Sequence, residues 1–482
     1  GDAVDDLAEH RAGLNGFDVA AVLTDDILED FGSGMTEITD EMIREFTEHM
    51  WQNWPGASEK SPSYLLLVGD HEDVTYAGEQ WYLPTHEFAI DTAPTMAAND
   101  EWYAYFNGDP DIETAFPSMM VGRLSVRNGS SLQTDTLSEI VENILALEEP
   151  IQQIPLVDNR RRIIRLAGTG SDDNSETAIQ AYVSWEPDRE WTHDLTDWMG
   201  FDFASCYCGD GRDFSSSDGS ILASHEYRDF VLDELSSGAG VAFYSNHGEY
   251  HMLSAGLEYW PRYISDDDLT KGTRDSTFNN YQLENYLTTP DQYYAAPFIL
   301  LLCCSAGTFN HTLHEHQNRE SHPYYCRLTE SSQVPLYDFG TDCLGEKLLK
   351  NTGVPVAGVF CGSRYSHTNY YQYYGEGILQ AMYGRGYGRL GEAIQDARFQ
   401  YEAFFAHGPK ELAQFNLLGD PALDISDRVR YPNSCDLVVY RDDLSISEYP
   451  VETPSGVTLP VNFTIRNFGR QNSGAFIARI TF

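Results

Sequence analysis

Residues 297–307 read PFILLLCCSAG, and this stretch decides the fold class. It is the densest apolar run in the chain, opened by a proline and closed by small residues. A short run of that kind, set between turn signals, suits a strand of a parallel sheet covered on both faces. Similar blocks recur at residues 64–68 (YLLLV, ending in Gly69-Asp70), 117–123 (PSMMVGR), 162–167 (RIIRLA), 240–245 (GVAFYS) and 354–361 (VPVAGVFC). Residues 17–23 (FDVAAVL) also read as a strand. Between these lie helical patterns. Residues 41–51 and 230–235 carry them, and Thr136 with Glu139 forms a capping-box signature ahead of Leu137, Ile140, Ile144 and Leu147. Leu390, Ile394, Ala397, Tyr401 and Phe405 share one face before Gly408. Alternation of β and α at this density predicts an α/β protein with parallel sheets between helical layers.

The length, 482 residues, exceeds one ordinary core. Residues 148–158, with two prolines and no periodicity, mark a boundary. We therefore expect two parallel-sheet, three-layer α/β subdomains, 1–150 and 151–430. From residue 434 the texture changes: 435–440 (CDLVVY) and 460–468 (PVNFTIRNF) alternate between turn residues without a helical stretch. That pattern suggests an immunoglobulin-like sandwich over 434–482, about half the length such a domain needs. The chain as given is expected to end inside it.

Seventy-five Asp and Glu stand against 30 Lys and Arg, a net charge of −45, and five of the thirty are lysines. A field of that sign repels phosphate backbones and argues against a nucleic-acid partner. It suits an extracellular or cell-surface protein in a saline medium, where screening relieves the self-repulsion. The bland alternative is a secreted acidic protein that gathers calcium. No apolar stretch reaches about 18 residues, so no membrane span is encoded. The chain begins at Gly1 without a basic-then-apolar leader. Its eight cysteines include no CxxC pair, which argues against a zinc ribbon or a thioredoxin-type site.

Reactive groups of an open parallel sheet sit at the carboxyl ends of its strands. The block 240–245 delivers Asn246-His247-Gly248, and 297–302 delivers Cys303-Cys304-Ser305-Ala306-Gly307. An imidazole beside a thiol raises the thiolate fraction, and small flanking residues let backbone N–H groups approach a substrate carbonyl. The pairing fits acyl transfer from a peptide bond. Taken singly, a cysteine ending an apolar strand is more often an inert core residue, and a lone histidine a structural donor. Side chains alternate along a strand, so only one of Cys303 and Cys304 can face the histidine, and the other belongs to the core.

YLLLVGD (64–70), Asn99-Asp100-Glu101-Trp102-Tyr103, FPSMMVGRLSV (116–126), the NHG and LLCCSAGTF segments and FNLLGDPAL (415–423) occur in that order. Together, over about residues 10–425, they resemble the gingipain-type cysteine peptidases, grouped with caspases and legumains. The resemblance implies a caspase-like fold, a secreted endopeptidase acting on proteins or peptides, Cys304 as nucleophile and His247 as proton shuttle. It puts the oxyanion hole at the Gly248 and Cys304 amides, and requires no cofactor for catalysis. It further implies an acidic residue orienting the imidazole, here among Asp172, Asp173 and Glu176. Arginine-specific relatives carry an Asp at the pocket floor, where this chain has Thr177 or Ala178, so arginine specificity is not expected. Residues 359–367 (VFCGSRYSH) are expected to line the pocket wall through Ser363, Arg364 and Tyr365. Arg364 would favour an acidic P1 side chain by a bidentate pair, unless it is simply a surface arginine.

Structural calcium is also implied by the resemblance, with Asp109, Asp111 and Glu113 the candidate ligands and Asp210, Asp213 and Asp218 a second acidic set; neither follows the EF-hand spacing. His311, His314, His316 and His322 form a dense stretch that is more often a polar loop than a zinc site. Asn128, Asn310 and Asn462 match the glycosylation sequon, which arises often by chance. Gly386, Gly388 and Gly391 spell GxGxxG, but 377–382 before them reads as helix, so nucleotide binding is unsupported. Two rival functions remain at this level. One is an inactive peptidase-like surface adhesion or binding protein, the other a maturation protease that cleaves itself or one partner.

Overall fold

The computed structural model describes residues 2–54, 63–71, 83–89, 96–106, 116–126, 134–148, 162–168, 202–208, 220–222, 231, 233–245, 248–249, 252–253, 278–279, 296–310, 342–350, 356–364, 366, 374–375, 377–405 and 410–426, with six short strands between 437 and 467. In chain order the strands up to residue 426 are β1 (Tyr64–Val68), β2 (His86–Ala89), β3 (Met96–Asn99), β4 (Met120–Leu124), β5 (Arg162–Gly168), β6 (Asp202–Cys208), β7 (Ser220–Leu222), β8 (Val241–Ser245), β9 (Gly248–Glu249), β10 (Met252–Leu253), β11 (Phe278–Asn279), β12 (Phe298–Leu302), β13 (Gly358–Gly362) and β14 (Phe415–Leu418). The principal helices are α1 (Asp2–Asn15), α2 (Thr24–Phe31), α3 (Asp40–Asn53), α4 (Thr134–Glu148), α5 (Leu344–Leu349), α6 (Leu390–Phe405) and α7 (Lys410–Ala413).

Among the described residues, nine strands form one mostly parallel sheet in the order β1-β4-β14-β13-β12-β8-β5-β6-β7. β13 through β7 run parallel to one another, and β1, β4 and β14 do likewise. The two blocks meet at one antiparallel seam, where Val359 pairs with Leu418 and Gly362 with Phe415. The blocks therefore point in opposite directions. Pairs of parallel strands were legible in the apolar runs; the seam was not, because β14 comes from the far end of the matched motifs to flank β4.

Burial on both faces follows from the sequence of β1. Leu65 and Leu67 pack with Ile43 of α3 and with Trp102 and Tyr103, whereas Leu66 and Val68 pack against the main core that includes Ile140 and Ile144 of α4. The period-2 alternation of a strand supplies one layer each way. Beside it, β4 approaches β14 so closely that a Cβ on Gly122 would lie 2.3 Å from the Gly419 carbonyl oxygen. Only glycine fits that contact.

Three local expectations need correction. Residues 17–23 form no strand; they link α1 to α2 with Val19, Val22 and Leu23 exposed, because among the described residues no strand offers them a ladder. α4 begins at Thr134, which puts Thr136 inside its first turn rather than at the cap. The short hairpin β2–β3, with His86 opposite Asn99, was not anticipated. After residue 426 the described pairs, 437–438 with 466–467, 444–446 with 461–463 and 451–453 with 456–458, are all antiparallel and nested. The expected boundary at 148–158 falls almost wholly outside the described residues.

Candidate active site

β5 opens its block, the chain winds to β6 and β7 on one side, and then returns to β8, β12 and β13 on the other. The topological switch point lies between β5 and β8, where a parallel sheet opens its crevice. Ala167 pairs with Ser245, and Ser245 with Leu302, so these three strands end level. Residues 247 and 304 each follow that row by two positions. His247 lies outside the described residues, as do Asn246, Asp172, Asp173, Glu176, Thr177, Ala178, Tyr365, the acidic sets at 109–113 and 210–218, and the histidines at 311–322.

The cysteine pair divides as strand alternation requires. Cys303 is fully buried and Cys304 partly exposed. Gly248 packs directly on this pair: a Cβ there would lie 2.5 Å from the Cys303 sulfur and 2.7 Å from the Cys304 carbonyl oxygen. The residue after His247 thus brings its backbone against the backbone of the nucleophile candidate. The Cys304 sulfur accepts the Ser366 N–H at 3.4 Å and lies 3.6 Å from the Ser366 carbonyl oxygen. The Ser366 hydroxyl is buried and has no hydrogen-bond partner among the described residues. Cys343 and Cys361 are of another kind. Burial, and then the Glu346 carboxylate, push both thiols upward, so they stay protonated and inert.

The turn after the nucleophile candidate is strained and tightly tied. Ser305 has φ +55°, in the left-handed region that a side chain rarely adopts. Its N–H donates to the Arg364 carbonyl at 3.1 Å, the Gly307 N–H to the Gly362 carbonyl at 2.9 Å, and the Thr308 hydroxyl lies 2.7 Å from both the Ser305 and the Ser363 carbonyls. Ser363 turns its hydroxyl to the Ala98 N–H at 3.0 Å, which docks the β2–β3 hairpin against this rim. Arg364 is 3% exposed, so it is not a surface arginine. Its Nη1 donates to Asn310 Oδ1 at 3.0 Å and to the Ser363 carbonyl at 2.7 Å. Asn310 in turn donates to Glu87 Oε1 at 2.6 Å. Being buried and so engaged, Asn310 offers no sequon to a glycan in the folded protein. Read as a sequon, Asn310 gave no sequence signal of this structural role.

A cluster of three carboxylates lies at α5, whose Gly345 N–H donates to the Ala306 carbonyl of this turn at 2.9 Å. Asp70, Asp342 and Glu346 are buried with oxygens within 4.8 Å of one another. The set does not fit a calcium site. Lys350 donates to Asp342 at 2.8 Å, while Ser125 and the Cys343 N–H donate to the two oxygens of Glu346 at 2.5 and 2.8 Å.

The sequence model for peptidase family C25 matches residues 1–426. The chain belongs to peptidase family C25. A search of curated proteins finds no match. Among solved structures the fold resembles the Arg-specific cysteine proteinase gingipain R (RgpB), with TM-score 0.58 at 15% identity over 91% of this chain and 78% of that one. It also resembles the complex of Porphyromonas gingivalis RgpB pro- and mature domains, with TM-score 0.55 at 13% identity over 91% and 80%. A third structure, described as a protease, gives TM-score 0.53 at 14% identity over 93% and 90%. At these identities the likeness concerns the fold. The C25 match agrees with the resemblance read from the ordered motifs. No described helix is long and apolar enough to cross a membrane.

Proposed function

We propose that this C25 chain is a secreted cysteine endopeptidase acting on protein or peptide substrates through Cys304 and His247. The observation that carries the reading is the level ending of β8 and β12, with Gly248 packed on the Cys303–Cys304 backbone and Cys304 the exposed member of the pair. In the first step the Cys304 thiolate adds to the scissile carbonyl, and the Gly248 and Cys304 amides receive the developing oxyanion. Collapse of the tetrahedral adduct breaks the C–N bond, and His247 gives its proton to the leaving amine. Water, deprotonated by the same imidazole, then hydrolyses the thioester and restores the thiol.

An acidic residue of the loop after β5, among Asp172, Asp173 and Glu176, orients the imidazole on this reading. The P1 pocket is walled by Ala178 and residues 363–366. Ser363 and Arg364 serve that wall through their backbone, since their side chains bond inward. No metal enters either step. The acidic composition supports an extracellular, saline setting, and the antiparallel pairs past residue 434 support an all-β tail, which we read as immunoglobulin-like. The test is substitution: Cys304→Ala abolishes peptide hydrolysis with the fold retained, and Cys303→Ala leaves hydrolysis in place. Hydrolysis surviving in Cys304→Ala would overturn the assignment.

A further inference from the structure

We infer that Arg364, Asn310 and Glu87 form a positioning relay that sets the peptide after the nucleophile. The inference rests on the cysteine-peptidase reading. Ser305 occupies a backbone region that costs free energy, so something outside residue 305 must hold it there. The hydrogen bond that does so at the 304–305 peptide ends on the Arg364 carbonyl oxygen. That carbonyl is itself fixed, because the guanidinium of the same residue curls back to the Ser363 carbonyl and reaches across to Asn310 Oδ1. Asn310 closes the circuit from the other side. It sits at the end of the nucleophile's own loop, and its amide donates to Glu87 on β2 and to the Met96 carbonyl on β3.

The three residues come from three separate parts of the chain and converge on one turn. Their charges alternate in sense: a guanidinium donor, an amide that both accepts and donates, and a carboxylate acceptor, so each link is charge-assisted. A rigid peptide at 304–305 fixes both the direction of the sulfur and that of the Cys304 N–H, which the proposed mechanism needs at once. Arg364 is thereby a positioning residue, acting through Ser305, rather than a reader of the P1 side chain.

The experiment compares Arg364→Lys, Glu87→Ala and Glu87→Gln with the wild-type chain, in kcat, KM, melting and the rate of Cys304 alkylation by iodoacetamide. Lysine keeps the charge but loses the planar guanidinium that places Nη1 between the Asn310 and Ser363 oxygens. We expect Arg364→Lys to lower kcat at least about tenfold with KM within about threefold. Glu87 is about one-third exposed in its side chain, so Glu87→Ala keeps the fold even if Arg364→Lys does not. It should lower kcat a few-fold, and Glu87→Gln, whose amide oxygen still accepts from Asn310, should restore it. An unchanged kcat in folded Arg364→Lys, or in Glu87→Ala, overturns the relay. So does a rise in KM confined to peptides with an acidic P1 residue, which would return Arg364 to the pocket. If wild type cleaves no peptide, the peptidase reading fails, and the alkylation rate still judges the relay: slower in Arg364→Lys and Glu87→Ala supports it, unchanged overturns it.

Discussion

A methyl group on residue 248 would press on the Cys303 sulfur and on the Cys304 carbonyl oxygen, and the second of these cannot rotate away. Gly248→Ala must therefore displace the backbone that the proposed oxyanion hole uses. We expect kcat to fall on the order of 100-fold, the loss typical of one oxyanion donor, at a stability cost of about 1–3 kcal/mol for overpacking. Steady-state kinetics with urea denaturation checks both; a variant with wild-type kcat would remove Gly248 from the site. His71 makes a separate prediction. Its Nδ1 accepts the Thr85 N–H, and burial, then the Arg123 charge, bring its pKa down to about 4, against the pull of Asp100, Asp70 and Asp40. Glu87 faces its other nitrogen at 3.7 Å. The unfolded chain takes up the proton first, so this stability is present above about pH 6.5 and is lost as pH falls towards 4. Between pH 7.5 and 4.5 the loss is about 2–3 kcal/mol, and His71→Gln should be less pH-sensitive by that amount. Equal acid sensitivity in the two proteins would refute it.

At the scale of elements, β4 is anchored by a side chain rather than by its ladder alone. Arg123 is fully buried, pairs with both oxygens of Asp100 at 2.7 Å, and donates to the Gly69, Leu83 and Pro84 carbonyls. Its fork ties β4 to the residue after β1, to the segment just before β2 and to the 3₁₀ turn Asp100–Ala104. Arg123→Met leaves Asp100 buried without its cation, and should cost about 3–5 kcal/mol in urea denaturation. A loss under 1 kcal/mol would mean that the carboxylate finds another partner. Nothing in GR or NDE as sequence pairs Arg123 with Asp100, because the contact spans two elements. The long apolar strands β1, β8 and β12 were legible because a sheet covered on both faces demands unbroken hydrophobic runs. β2 and β3 were not, since four residues such as HEFA contain neither a run nor a clear alternation. In the site, the alternation that sends Cys303 inward and Cys304 outward could be read directly, whereas the Arg364–Asn310–Glu87 contacts depend on which loops the seam brings together.

For the molecule as a whole, a net charge of −45 makes the folded chain repel itself. Raising NaCl from about 0.1 M to about 1 M shortens the screening length from about 10 Å to about 3 Å. Thermal melting should rise across that range, on the order of 5 °C, because compaction brings like charges together. A melting temperature that is flat or falls with salt would count against a saline habitat and against repulsion as a significant cost. Among the described residues the sheet is continuous because β14 enters between β4 and β13. That strand spans residues 415–418, close to the end of the region matched to family C25. A growing polypeptide consequently carries two raw sheet edges, those of β4 and β13, and can mate them only after residues 415–418 have been made.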